Sequence, residues 1–351
     1  MQTSTTKRRN NAWRFCTGPT AEKRRRTATL AIAAACLMTG CHRAVPLPLP
    51  SSLSSTPRIV SLAPNLTEIL CAVGGADRLV GRTEVCNYPS NLLVNVPIVG
   101  GFGRPYLEPL LAQKPTLVLD VALEDKSLGA TMERLGIGRQ HIECRRLADL
   151  IYAVRLIGRL AGRTETGDML AHSIEFGIRT RREAVNQVPS NQRPLVYVEI
   201  WGEPLMTAGR NSFVSELIAM AGGRNLGDEL AYDYGTISTE WVLTRNPDVI
   251  LCLYPSTDHS ARKAVSARLG WQTLRAVQNG RMYDTFNLDT ILRPSPRVLD
   301  GVDQLRQAIA ETNQPFLSPA NFVTNPVDGR TIERSDSPPP HQPPATFHRP
   351  P

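Results

Sequence analysis

Most of the signatures that mark α/β enzymes are missing from these 351 residues. There is no GxSxG elbow, no GxxxxGK[ST] phosphate loop, no GxGxxG after a strand and no HExxH pair. With none of these motifs present, an enzyme is the weakest reading of the chain. Gly100-Gly101-Phe102-Gly103 is glycine-rich but lacks the Lys and the helix context of a phosphate loop. Cysteine is sparse: beyond residue 41 only Cys71, Cys86, Cys144 and Cys252 occur, with no CxxC and no zinc-like spacing to His. That leaves room for a disulfide in an oxidising compartment, with a pairing that spacing does not give. Histidine is scattered, so no metal site is expected. No stretch reaches the roughly 20 apolar residues of a membrane span. Basic charge is also missing where a nucleic-acid binder needs it. Eight Lys and Arg stand against Glu22 alone in residues 1–40, so nearly all of the net charge of +8 lies there and the folded part is close to neutral.

That basic start has another meaning. Lys23-Arg24-Arg25-Arg26 precedes an apolar run, Ala28 to Met38, of the length of an export signal. The run ends in Leu37-Met38-Thr39-Gly40-Cys41, which resembles a bacterial lipobox and makes Cys41 the expected lipidated first residue of the mature chain. Acyl chains at about 0.8 kcal/mol per buried methylene then hold the protein to a membrane. Residues 1–40 are read as signal peptide and 41–57, rich in Pro and Ser, as a tether. Residues 313–351, with Pro338-Pro339-Pro340 and few large apolar side chains, are expected to be a disordered tail.

Between these, strand and helix patterns alternate, which argues for α/β lobes with parallel sheets covered on both faces. Strands are expected at 59–62, 79–81, 116–121, 141–144, 195–200, 248–253 and 282–286. Helices are expected after Asn65 as N-cap, up to Gly136, at 147–161, from Asn211 to Met220 and from Pro296 to Ile309. One long helix, 164–187, separates an N-terminal lobe (58–163) from a C-terminal lobe (188–312), with the ligand cleft between them. Trp241 and Trp271 sit in helical apolar periodicity and are assigned to core packing.

A set of short motifs in order, Arg58 to Glu68 (RIVSLAPNLTE), Cys86-Asn87-Tyr88-Pro89, Val99-Gly100-Gly101-Phe102, Leu107-Glu108-Pro109-Leu110, Ser238-Thr239-Glu240 and Arg293-Pro294-Ser295-Pro296-Arg297, resembles the helical-backbone periplasmic binding proteins. These serve cobalamin, haem and ferric-siderophore ABC importers, and the opening motif with its Asn-Tyr-Pro turn is most similar to the cobalamin branch. The resemblance implies a non-catalytic, monomeric receptor in the cell envelope that carries a corrinoid to a permease dimer and its ATPase. A corrinoid needs broad aromatic faces and a few polar groups. The matching positions offer Tyr88, Phe102, Trp201, Tyr234 and Phe286 as platforms, with Asp289 and Arg293 as polar contacts. Strand 116–121 departs from the pattern by ending in Asp120-Val121-Ala122, without an aromatic. Arg104, Arg210 and Arg293 keep a siderophore reading open, and Tyr88 or Tyr234 as an iron ligand a haem reading. The resemblance also places Glu108 and Glu240 on the lobe tips, where they pair with permease arginines. For Glu240, an N-cap at Ser238 and a helix-dipole role remain alternatives.

Overall fold

The computed structural model describes residues 56–255 and 260–310. The export signal, Cys41, the tether to residue 55 and the tail from residue 311 lie outside them. The first lobe contains β1 (Ile59–Ser61), β2 (Leu79–Arg82), β3 (Gly100–Gly101), β4 (Arg104–Pro105), β5 (Leu117–Asp120) and β6 (Gly138–His141). The second contains β7 (Leu195–Glu199), β8 (Trp201–Gly202), β9 (Leu205–Ala208), β10 (Arg224–Asn225), β11 (Tyr234–Thr236), β12 (Val249–Cys252) and β13 (Met282–Tyr283). Each lobe is built on a four-stranded parallel sheet, in the orders β2-β1-β5-β6 and β10-β7-β12-β13. With the small hairpins set aside, both sheets have the same topology: the first strand lies between the second and the third. Ile59, Val60, Val118, Leu119, Val196, Val198 and Val249 to Leu251 are all buried. Near-continuous apolar runs are what a parallel sheet covered on both faces demands.

Several boundaries differ from the sequence expectation, three of them with a plain local cause. Asn65 is not an N-cap; the helix Pro64–Ala72 begins at Pro64 with Ala63 as its cap residue, and Asn65 is buried inside it. Proline supplies the helical φ and lacks the N–H that a cap would have to satisfy. The strand expected at 141–144 lies at Gly138–His141, because β6 pairs with β5 from Leu117↔Gly138 to Asp120↔His141. Ile142, which drew the reading onward, is buried just past the strand end. β13 stops at Tyr283, short of Phe286. The antiparallel set β11-β9-β8 and the β3-β4 hairpin have strands too short for an alternating pattern to register.

The connection between lobes is a pair of helices, Leu147–Leu160 and Thr164–Asn186. They touch at two glycines: a Cβ on Gly158 would stand 2.9 Å from the Gly167 Cα. One apolar core runs from Ile59 of β1 through Ile157 and Ile174 of these helices to Val196 of β7 and Val302 of the closing helix Val298–Ala310. Smaller clusters lie on the outer face of each sheet. Since the lobes share the main core, swinging them apart exposes apolar surface at about 25 cal/mol per Å², and only small closures are cheap. Trp271 is fully buried, edge-on to Tyr197 at 5.8 Å. Trp241 is partly buried, with the Arg245 guanidinium 4.4 Å over its ring.

The described cysteines form no disulfide: Cys71, Cys86 and Cys252 are buried free thiols and Cys144 is half-buried. Burial pushes the Cys71 thiol up to about 11 and that of Cys144 up to about 12, so neither is a ready nucleophile.

Candidate ligand-binding site

In open α/β sheets, ligands gather beyond the carboxyl ends of the strands, where the strand order reverses. Four of the five aromatics singled out from sequence stand in segments at or beyond those ends, and all four are exposed. Tyr88 follows β2, and Phe102 forms the tip of the β3-β4 hairpin, whose turn is made by Gly103 at φ 69°. Trp201 opens β8, directly beyond β7, and Tyr234 opens β11. Their exposure, between 44% and 52%, is unusual for side chains that ordinarily bury 150–250 Å². Phe286 is different: it is half-buried and packs on the main core.

Two of the exposed rings, Trp201 and Tyr88, rest on neighbouring side chains. The indole N–H of Trp201 donates to the Glu203 carbonyl at 2.9 Å, and its ring leans on Tyr254 at 6.2 Å. Tyr254 in turn donates its hydroxyl to Glu199 at 2.7 Å, a fully buried carboxylate that also takes a two-pronged contact from Arg268. Burial and the Glu199 charge both raise the Tyr254 pKa, which locks it as a donor. Tyr234 has its pKa raised by desolvation and by neighbouring Asp233. Tyr88 carries the Arg297 guanidinium 3.8 Å over its ring, a cation–π contact that occupies one face and leaves the other outward.

Arg297 belongs to a cluster that ties the lobes together. Its Nε and Nη2 donate to the two oxygens of Glu68, both at 2.9 Å, and Glu68 is buried in the first helix of the first lobe. Burial alone would lower the Arg297 pKa; hydrogen bonding and the Glu68 charge outweigh it and keep the guanidinium charged. Arg293 donates to Asn87 at 2.7 Å, reaches Glu68 at 3.4 Å and pairs with Asp289 at 2.8 Å. Asn87 donates back to Asp289 at 3.2 Å. Tyr88, Asp289 and Arg293 are therefore brought together, with the charges of Asp289 and Arg293 answered by protein. The segments joined follow the carboxyl ends of β1, β2 and β13, so this cluster sits where the two carboxyl edges meet. Sequence reading passed over Glu68, Arg297, Glu199, Arg268 and Tyr254. A signal existed for Glu68: it interrupts the helical run Leu66, Ile69, Leu70, whose members are all buried, and a buried carboxylate requires a partner.

Asp120, where an aromatic was missing, has a structural task. It is fully buried and accepts from Arg139 at 2.7 and 3.0 Å and from His141 Nδ1 at 3.0 Å. Arg104 is paired with Glu124, and Arg210 donates to the Glu229 carbonyl.

Glu108 and Glu240 are both exposed, each in the first turn of a short helix, Leu107–Ala112 and Thr239–Arg245. Ser238 does cap the second helix, accepting from Trp241 N at 3.2 Å. The backbone N–H of Glu240 and the Ser238 hydroxyl hold the Glu240 carboxyl below its usual range, so it is an anion at neutral pH. Both helices end in a left-handed residue followed by proline: Lys114 at φ 47° and Asn246 at φ 49°, the non-glycine positions of positive φ among the described residues. The two glutamates thus occupy the same place in a unit repeated once per lobe. Cys41 lies outside the described residues. Among the described residues no helix is long and apolar enough to cross a membrane, and no group of three or more His, Cys, Asp or Glu is arranged to hold a metal ion.

A family model described as a periplasmic binding protein matches residues 59–287. The substrate-binding lipoprotein YvrC of Bacillus subtilis, named as part of an ABC transporter, is 27% identical over 263 residues, covering 72% of this chain and 79% of that one. A vitamin B12-binding protein of Vibrio cholerae is 28% identical over 71% of this chain and 87% of its own. The crystal structure of periplasmic vitamin B12-binding protein BtuF of Vibrio cholerae matches with a TM-score of 0.60 at 27% identity, covering 72% and 96%. The haem-binding protein RhuT of Roseiflexus gives 0.64 at 25%, covering 73% and 98%.

Proposed function

The chain belongs to the periplasmic binding protein family, as a substrate-binding protein of an ABC importer, and we propose that the ligand it captures is a corrinoid. One observation carries this reading: four aromatic rings are exposed, and of the arginines named beside them only Arg210, on the Glu229 carbonyl, lacks a carboxylate among the described residues. Arg293 and Arg297 are answered by Glu68 and Asp289, and Arg104 by Glu124. An anionic ferric siderophore calls for unpaired cations. A broad, amide-fringed ring asks instead for flat apolar surface and a few hydrogen bonds. The similarity to vitamin B12-binding proteins in sequence supports the same ligand.

In this reading Cys41 anchors the receptor by its acyl chains, and the ligand lies between the lobes against Tyr88, Phe102, Trp201 and Tyr234. Glu108 and Glu240 then dock on arginines of a permease dimer with its ATPase. Titration of the purified protein with cyanocobalamin, haemin and ferric siderophores by calorimetry tests the ligand. One-to-one binding of cyanocobalamin is expected. Tyr88→Ala and Trp201→Ala should each weaken it about 10- to 30-fold, the ~1.5–2 kcal/mol of a desolvated aromatic anchor. Binding of haemin or a siderophore with no heat from cyanocobalamin would keep the transport role and replace the ligand.

A further inference from the structure

The amino-terminal edge of the second sheet, remote from the cleft, carries a cavity of about 660 Å³. Its walls include Pro194, Arg224, Asp248 and Arg281, each within two residues of the start of β7, β10, β12 or β13. Strands of up to five residues at about 3.3 Å each set it roughly 15 Å from the carboxyl ends where Trp201 stands. Apolar lining comes from Val185, Val188, Ala221 and Ile309.

Five arginines line this cavity against one carboxylate. Asp248 is already engaged, pairing with Arg275 at 3.2 Å and accepting from Leu195 N at 2.8 Å. Among the described residues, the other four find carbonyls or nothing. Arg193 donates to the Val185 and Val188 carbonyls, Arg224 to the Arg193 carbonyl and Arg281 to the Ile309 carbonyl at 2.7 Å. Arg281 Nε is buried with no hydrogen-bond partner among the described residues. Arg306 has no hydrogen bond or ion pair among the described residues, and Asp303 on its own helix is taken by Arg181. Carbonyl contacts satisfy donors without cancelling charge. Two helix carboxyl ends, Thr164–Asn186 and Val298–Ala310, reach the cavity and supply about half a negative charge each. Four cations against about one unit of partial charge leave the cavity strongly positive.

We propose that this cavity binds an organic phosphate: a phosphomonoester or phosphodiester carrying an apolar body. Guanidinium forks match phosphate oxygens two at a time. A monoester brings about −1.5 to −2 charges, which answers the excess better than a carboxylate does. The volume lies within the roughly 300–1,000 Å³ of small-molecule sites, and the apolar wall suits the body of the ligand. An anionic lipid headgroup and a free organic phosphate share this chemistry. The site is independent of what fills the cleft.

Calorimetry and thermal shift with phenyl phosphate, inorganic phosphate and phenol test it on purified Cys41→Ser protein, which has no acyl anchor of its own. Phenyl phosphate should bind one-to-one and raise the Tm, inorganic phosphate at least ten-fold more weakly, and phenol not at all. The Arg281→Leu/Arg306→Leu double variant should lose at least ten-fold in phenyl phosphate affinity while its cyanocobalamin or haemin titration is unchanged; Arg306→Lys should lose less than Arg306→Leu. Co-sedimentation with phosphatidylglycerol but not phosphatidylcholine vesicles, lost in the double variant, assigns the lipid source; phenyl phosphate binding without it assigns the free phosphate. Folded protein that neither binds phenyl phosphate nor sediments with phosphatidylglycerol overturns the proposal. So does undiminished binding by a double variant that keeps the parent's far-UV circular dichroism.

Discussion

In the first lobe the helix Leu107–Ala112 runs through Lys114-Pro115 into β5; in the second, Thr239–Arg245 runs through Asn246-Pro247 into β12. The glutamate, the left-handed residue and the proline fall at matching places, and each strand ends up in the middle of a sheet with the same order. The carboxyl edges are not alike. The first lobe offers its aromatics from a turn and a hairpin tip, the second from strands of a small antiparallel sheet. Each lobe buries one carboxylate at a strand end but on different strands: Asp120 closes the third strand of its sheet, and Glu199 the first strand of the other. What both lobes repeat is the surface that would meet a two-fold partner. What differs is the surface that would meet an asymmetric ligand.

The largest effect is expected where the repeat is tested directly. Glu108→Arg/Glu240→Arg should abolish ligand uptake in cells and leave ligand affinity of the purified protein unchanged, because charges at a rim set orientation and encounter. The single reversals should cost similar amounts if the lobes are used symmetrically. Uptake that survives the double reversal would remove the docking role from both glutamates.

The joint between lobes comes next. Glu68→Ala leaves Arg293 and Arg297 facing each other with no shared carboxylate, and breaking a buried pair costs about 3–5 kcal/mol. Urea unfolding should show a loss of that order; a loss under 1 kcal/mol would mean the cluster is wet and contributes little. The two strand-end carboxylates sharpen the contrast. Glu199→Ala strands Arg268, Tyr254 and Tyr197 in the interior and should cost about 3–4 kcal/mol. Asp120→Ala should cost about 2 kcal/mol, because Arg139 and especially His141 are partly exposed and can turn to water. Equal losses would show that partner exposure does not decide.

How much of this was readable without coordinates follows from the range of each interaction. The apolar strands and the helix Thr164–Asn186 were readable because burial repeats on the period of the element. Tyr88 and Phe102 were readable as turn residues beyond strands, whereas Trp201 and Tyr234, expected on loops, open short strands. The pairing of β6, the helix start at Pro64 and the three-stranded sheet around Trp201 were not, since two to four residues carry too little pattern and register is set by the neighbour. The cluster around Glu68 was least visible, because Arg297 lies 229 residues away. A charged side chain read alone is taken for a solvated one.

The smallest effect tests whether the repeated unit is held by the same physics in both lobes. A left-handed backbone costs an ordinary L-residue about 1–2 kcal/mol, and asparagine less. Lys114 carries that strain with an exposed side chain, so Lys114→Gly trades it against the chain entropy glycine adds when unfolded, about 0.5–1 kcal/mol. A net gain of about 0.5 kcal/mol is expected. Asn246 tolerates the conformation, and its side chain accepts from Arg275 N at 2.8 Å. Asn246→Gly loses that bond and should cost about 1 kcal/mol. Equivalent positions should thus respond with opposite signs: calorimetry should show the Tm rising by about 1–2 °C for Lys114→Gly and falling by about 2–4 °C for Asn246→Gly. If both fall, strain at Lys114 is not what the first lobe tolerates to keep its turn.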